Sequence, residues 1–178
     1  VHLAYLIAGS IDHDSWSGGL LVTDEKGLPL DFRYVEPIRP TKLQKLIYGG
    51  SLQRYLLLEA IGNTLLRDTA SKAKWVFTSD PLLLELERDS GCRFVAISKG
   101  EIERMMAVGE WLMEEAGCVF LQLAPSGPPY RFKFNSDEDE TTNRIAEELS
   151  VIARELDLFE PLQRVKQALE EICRNGNS

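Results

Sequence analysis

Gly18-Gly19-Leu20-Leu21-Val22-Thr23-Asp24, on through Glu25-Lys26-Gly27 and Leu30-Asp31-Phe32-Arg33-Tyr34 to Arg39-Pro40-Thr41-Lys42, is the stretch that decides the fold class. The apolar run 19–23 predicts a strand. Asp24 to Gly27 predicts a tight turn, because glycine accepts positive φ there. In residues 30–35, Leu30, Phe32 and Tyr34 alternate with Asp31, Arg33 and Val35, the period of a strand with one buried face. With residues 3–8 as a first strand, the opening is an antiparallel three-strand meander. Pro37 and Pro40 end it, and Thr41 caps a short helix that Gly49-Gly50 stops.

Downstream the pattern changes to alternating strands and helices. Strands are expected at 74–78, 91–97 and 117–123, with helices at 82–90 and 102–116 between them, a β-α-β-α-β order of parallel strands and crossovers. A further helix runs from Ser51 to about Arg67. Pro125-Ser126-Gly127-Pro128-Pro129 turns the chain into a closing strand at 130–134. Two helices follow. Ile145, Leu149, Ile152 and Leu156 form one apolar seam, and Leu162, Val165, Leu169 and Ile172 form the other. The expected fold is α/β: a mixed sheet of meander, β-α-β-α-β and closing hairpin, with two C-terminal helices. Residues 1–135 are expected to form the α/β domain, and 136–178 a helical hairpin packed on it or on a partner.

The 178 residues are 44% hydrophobic and 27% charged, ordinary for a soluble globular domain with its own core. Residues 1–80 hold nine acids and nine bases, whereas 81–178 hold 19 acids and 11 bases, so the net charge of −8 lies wholly in the second half. An acidic surface disfavours nucleic acid without excluding a local basic site, and it disfavours anionic membrane. Cys92, Cys118 and Cys173 match no disulfide framework and no zinc pattern, which with the lack of a signal peptide points to the cytoplasm.

Several polar residues invite a chemical reading. Asp12-His13-Asp14 offers two carboxylates and an imidazole, but consecutive side chains rarely converge. Asp80 follows a strand, where α/β sites gather, yet Asp before Pro81 also spells a helix start. Glu59 sits among leucines on a helix. Arg33, Arg39, Lys42, Lys45 and Arg54 are the one basic concentration, with Tyr34, Tyr48 and Tyr55 nearby, able to hold phosphates and stack bases. No Walker loop, G-x-G-x-x-G, nucleophile elbow or H-E-x-x-H is present.

Over residues 3–97, the order of meander, helix and parallel strands, with Asp12 or Asp14, Glu59 and Asp80 at successive steps, resembles the RNase H-like nucleases. That resemblance implies metal-binding carboxylates, with Mg²⁺ or Mn²⁺, at Asp12 or Asp14, Glu59 and Asp80. The stretch from Gly18 to Arg33 with Glu36 to Gln44 also resembles a bacterial family of uncharacterised conserved proteins, which implies no activity. Since no convergent polar site is evident and two amphipathic helices need cover, the leading expectation is a non-catalytic bacterial interaction or assembly subunit. It would need no cofactor or metal, and would bind a protein partner or a second copy through Leu162 and Leu169 and the Arg33–Arg54 region. The alternative is a divalent-metal nuclease or nucleic-acid-binding module of RNase H-like architecture.

Overall fold

The structure, a computed structural model, describes residues 1–67, 73–104 and 106–176. Eight strands form one mixed sheet in the order β3-β2-β1-β4-β5-β8-β7-β6. Strands β1 (His2–Ser10), β2 (Trp16–Thr23) and β3 (Pro29–Ile38) are the antiparallel meander. Strand β4 (Ala73–Thr78) pairs in parallel with β1, and β5 (Arg93–Lys99) in parallel with β4. Antiparallel β6 (Trp111–Glu115), β7 (Cys118–Leu121) and β8 (Tyr130–Phe134) complete the sheet. The mixed α/β architecture is therefore the expected one.

Helices cover both faces. One face carries α1 (Lys42–Tyr48), α2 (Leu52–Tyr55), a π-helical stretch Leu56–Asn63, α3 (Thr64–Leu66), a 3₁₀ segment Pro81–Leu86 and α4 (Glu87–Ser90). Its core joins Ala4, Leu6, Leu20, Val76 and Phe94 of the sheet to Leu57, Ile61, Leu65 and Leu83 above them. The other face carries α5 (Asp139–Glu155) and α6 (Glu160–Asn175). There Tyr5, Phe77, Ile97 and Phe132 pack with Ile145, Leu149, Leu162, Val165 and Leu169. Alternation along each strand sends successive side chains to opposite faces, so the sheet has two cores.

The Gly18-Gly19 pair shows why the opening stretch needs glycine. A Cβ at Gly18 would collide with Ile61 Cγ2 and lie 2.7 Å from the Ile7 carbonyl oxygen. A Cβ at Gly19 would meet Val165 Cγ1 at 3.1 Å and Leu169 Cδ2 at 3.3 Å on the opposite face. The two glycines thus let the π-helical stretch and α6 approach β2 from either side. Each fully buried Leu or Val on the α6 seam contributes about 1.5–3 kcal/mol through removal of apolar surface from water.

Two local expectations are corrected. Residues expected to form a helix over 102–116 instead run as loop through 101–104 and 106–110 and then form β6 (Met105 lies outside the described residues). Gly109 has φ +85°, a left-handed geometry foreign to a helix interior, and the Ala107 N–H is taken by the Glu110 carboxylate at 2.8 Å. Trp111 and Met113 face the core while Leu112 is exposed, the period of a strand rather than a helix. Strand β7 is accordingly antiparallel to β6, and among the described residues no helix crosses between β5 and β7. On β3, Leu30, Phe32 and Tyr34 share one side of the strand but stay partly exposed, because β3 is the sheet edge and α6 packs on β1 and β2.

Candidate nucleic-acid interface

The parallel strands β1, β4 and β5 all deliver their carboxyl ends to one edge, the location where open α/β sheets bind ligands. The loop after β1 brings Asp12 and Asp14 there, the exit from β3 brings Arg39 and then α1, and the exit from β4 brings Asp80. Helix α1 begins in a capping box: Gln44 N donates to Thr41 Oγ1 at 3.1 Å, and Thr41 N donates to Gln44 Oε1 at 2.8 Å. None of its residues is buried. Lys42, Lys45 and the apolar Leu43, Leu46 and Ile47 all stand in solvent.

The four candidate carboxylates do not converge; each serves a separate local contact. Asp12 Oδ1 accepts from the N–H groups of Asp14 (2.8 Å) and Ser15 (2.7 Å), and these bonds, the Asp14 one foremost, hold its carboxyl below the usual carboxylate range. Asp14 Oδ1 accepts from Lys45 Nζ at 2.7 Å, and that bond likewise lowers its pKa. Glu59 lies over the helical face, where Asn63 Nδ2 donates to its Oε2 at 3.0 Å. Asp80 caps the 3₁₀ segment, its Oδ1 accepting from Leu82 N at 2.9 Å ahead of Pro81. Among the described residues, no group of three or more His, Cys, Asp and Glu side chains is placed to hold a metal ion. Asp12, Asp14, Glu59 and Asp80 therefore do not fit a shared divalent-metal centre.

Asp80 tests its role directly. Asp80→Ala is expected to lower stability by about 1 kcal/mol through loss of the cap, or roughly 2–4 °C in melting temperature for a chain of this size. Asp80→Asn keeps an acceptor at the same place and is expected to melt like the parent protein. A thermal melt of the three proteins checks both statements.

The basic residues do share a region, and most are tethered. Arg33 Nε donates to Asp31 at 2.9 Å. Lys45 is paired with Asp14 as above. Arg54 bonds Glu85 through both ends of its guanidinium, Nη1 to Oε1 at 2.8 Å and Nη2 to Oε2. Arg39 and Lys42 stand exposed between these pairs, and the Arg39 charge also acts on Asp12. Leu162 and Leu169, by contrast, are 2% and 7% exposed beneath the sheet and reach no surface.

Two features escaped the sequence. Glu85, the only charged residue in Pro81–Leu86, fixes Arg54 from 31 positions away. A cavity of about 390 Å³ opens beside the β1 exit, where Ile11, Asp12, Glu36 and Arg39 meet Ile172 and Cys173 of α6. Nothing local in the sequence brings Cys173 to Asp12; the packing of α6 does.

Human ENDOV superposes on this chain with a TM-score of 0.68 at 10% identity, covering 99% of this chain and 86% of that one. The fold is RNase H-like. Endonuclease V of Bacillus subtilis gives 0.64 at 11% identity, over 99% of this chain and 81% of its own. Ciona intestinalis endonuclease V, solved with a 24mer DNA containing an inosine, gives 0.61 at 10% identity, over 98% and 86%. At identities this low the likeness is one of fold. The sequence itself matches no family model and no curated protein.

The expectation of a non-catalytic subunit built for protein–protein interaction is thereby corrected. The structures it resembles are nucleic-acid-processing endonucleases. The helical seams that prompted it are spent within the chain, on the face with Tyr5 and Phe77. The expectation of a chain needing no cofactor rested on that reading and falls with it. Among the described residues, no helix is long and apolar enough to cross a membrane.

Proposed function

We propose that this chain is a nucleic-acid-binding module of RNase H-like architecture. It takes a sugar–phosphate backbone along Arg39, Lys42 and Lys45, at the carboxyl edge of β1, β4 and β5. The observation that carries this reading is the gathering of these cations on an exposed edge element of a chain whose net charge is −8. Phosphate oxygens supply the same acceptor that Asp14 now gives Lys45, so the pair can exchange partners at little cost. The DNA complex of the Ciona protein with the same fold supports the choice of partner. In this reading residues 1–135 form the binding domain, and the helices of 136–178 brace its opposite face.

Fluorescence anisotropy with labelled DNA and RNA, single- and double-stranded, tests the reading. Three to four phosphate contacts predict a slope of log K against log salt of about −3 on duplex and about −2 on single strands. A parallel incubation with Mg²⁺ or Mn²⁺, read on a denaturing gel, reports any cleavage. Absence of binding to every nucleic acid at about 50 mM salt would overturn the reading.

A further inference from the structure

We propose that the cleft between α1, the π-helical stretch and the 3₁₀ segment receives an unpaired nucleobase bearing an exocyclic amino group, from a single strand whose phosphates lie on Lys42 and Lys45. This rests on the nucleic-acid-binding reading and specifies the strand and the base class.

The cleft encloses about 320 Å³, ample for one nucleobase. Its apolar base is Leu58 and Leu86, both buried. Tyr48 and Tyr55 line one side with ring centroids 4.8 Å apart and planes tilted by 31°. Tyr55 remains 41% exposed, so the aromatic pair still presents a surface to a third ring. Aromatic surfaces of this kind stack bases of any sequence.

The polar lining decides the base class. Glu59 Oε2 is occupied by Asn63 Nδ2, leaving Oε1 to accept from an N–H of the ligand. A carboxylate pairs with the amino group of cytosine and, by the same donor chemistry, with those of adenine and guanine; thymine has no amino group, and its one N–H, at N3, sits between two carbonyl oxygens that a carboxylate repels. The Arg54–Glu85 pair closes another side and leaves no net charge there, while Glu59 and Asp89 make the cleft locally acidic. An acidic cleft repels phosphate and attracts amino donors. That separates the two parts of a nucleotide: the base enters, and the phosphates stay toward α1. Lys45 and Tyr48 are three positions apart on α1, one helical face, which joins the two surfaces. The π-helical stretch at the cleft belongs to a rare conformation that recurs at functional sites.

The test compares three labelled single strands of about twelve nucleotides: oligo-dC, oligo-dT, and an abasic strand of equal charge. Oligo-dC is expected to bind about tenfold more tightly than the abasic strand. Tyr55→Ala is expected to remove that advantage without changing the salt slope, because it removes no charge, and Tyr55→Phe to retain it. Glu59→Gln is expected to narrow the preference for dC over dT. Equal affinity for all three strands, or an unaltered dC affinity in a folded Tyr55→Ala protein, overturns the base cleft while the nucleic-acid reading stands. No binding to any strand overturns both.

Discussion

Phe77→Ala is expected to lower the free energy of unfolding by about 3–5 kcal/mol, the cost of a large cavity in a packed core. Phe77 is wholly buried on β4, the strand that joins the meander to the rest of the sheet. Its ring lies 5.4 Å from Tyr5 and 6.5 Å from Trp75, both stacked on it, and all three belong to the core capped by α5 and α6. Because these neighbours are themselves large and held by strand pairing, the site has little room to collapse. The melting temperature should fall by roughly 6–20 °C. Leu46→Ala removes an apolar side chain that is 71% exposed and is expected to stay within about 0.5 kcal/mol of the parent. Chemical denaturation of both variants separates the two cases; a Phe77→Ala loss below about 1 kcal/mol would mean that β4 does not anchor this core.

The same core explains what the sequence could and could not convey. The meander was legible because its signals are local: apolar alternation on β3, a glycine turn at 24–27, and prolines after it. The seams of α5 and α6 were also legible as periodicity. Their destination was not, because period says that a face must be covered and is silent on what covers it. Tyr5 and Phe77 cover it here. The stretch 102–116 misled because its methionines and glutamates favour helix, while one residue, Gly109 at φ +85°, forbids it. The π-helical turn around Glu59 has no sequence signature comparable to a cap.

At the candidate site the boundary falls in the same place. The cap at Asp80 was readable from Asp-Pro, since both partners lie within three residues. The pairs Lys45–Asp14 and Arg54–Glu85 each span 31 positions and depend on the sheet bringing a loop to a helix, or two helical segments, together. The carboxylates named from element order, Asp12, Asp14, Glu59 and Asp80, occupy the expected elements. Order along the chain fixes elements to within a turn, however, and shared coordination needs ångström-level convergence, which their separate hydrogen bonds do not provide.

The triple variant Arg39→Glu, Lys42→Glu, Lys45→Glu carries the second large effect: nucleic-acid affinity should fall by about three orders of magnitude at about 50 mM salt. Each lost cation removes a phosphate contact and its counterion release, so the salt slope on duplex should shrink by about 0.9 per residue. The loss should be nearly uniform across sequences, since backbone contacts carry no base information. Stability is not the confounder it would be elsewhere, because all three residues are exposed and α1 buries nothing. Asp14→Asn supplies the opposite sign. It removes the carboxylate that competes with phosphate for Lys45, so the purely electrostatic account requires affinity to rise. Affinity that fell in both variants would indicate that the Asp14–Lys45 contact shapes the edge; affinity unmoved by the triple reversal would place the nucleic acid on another surface.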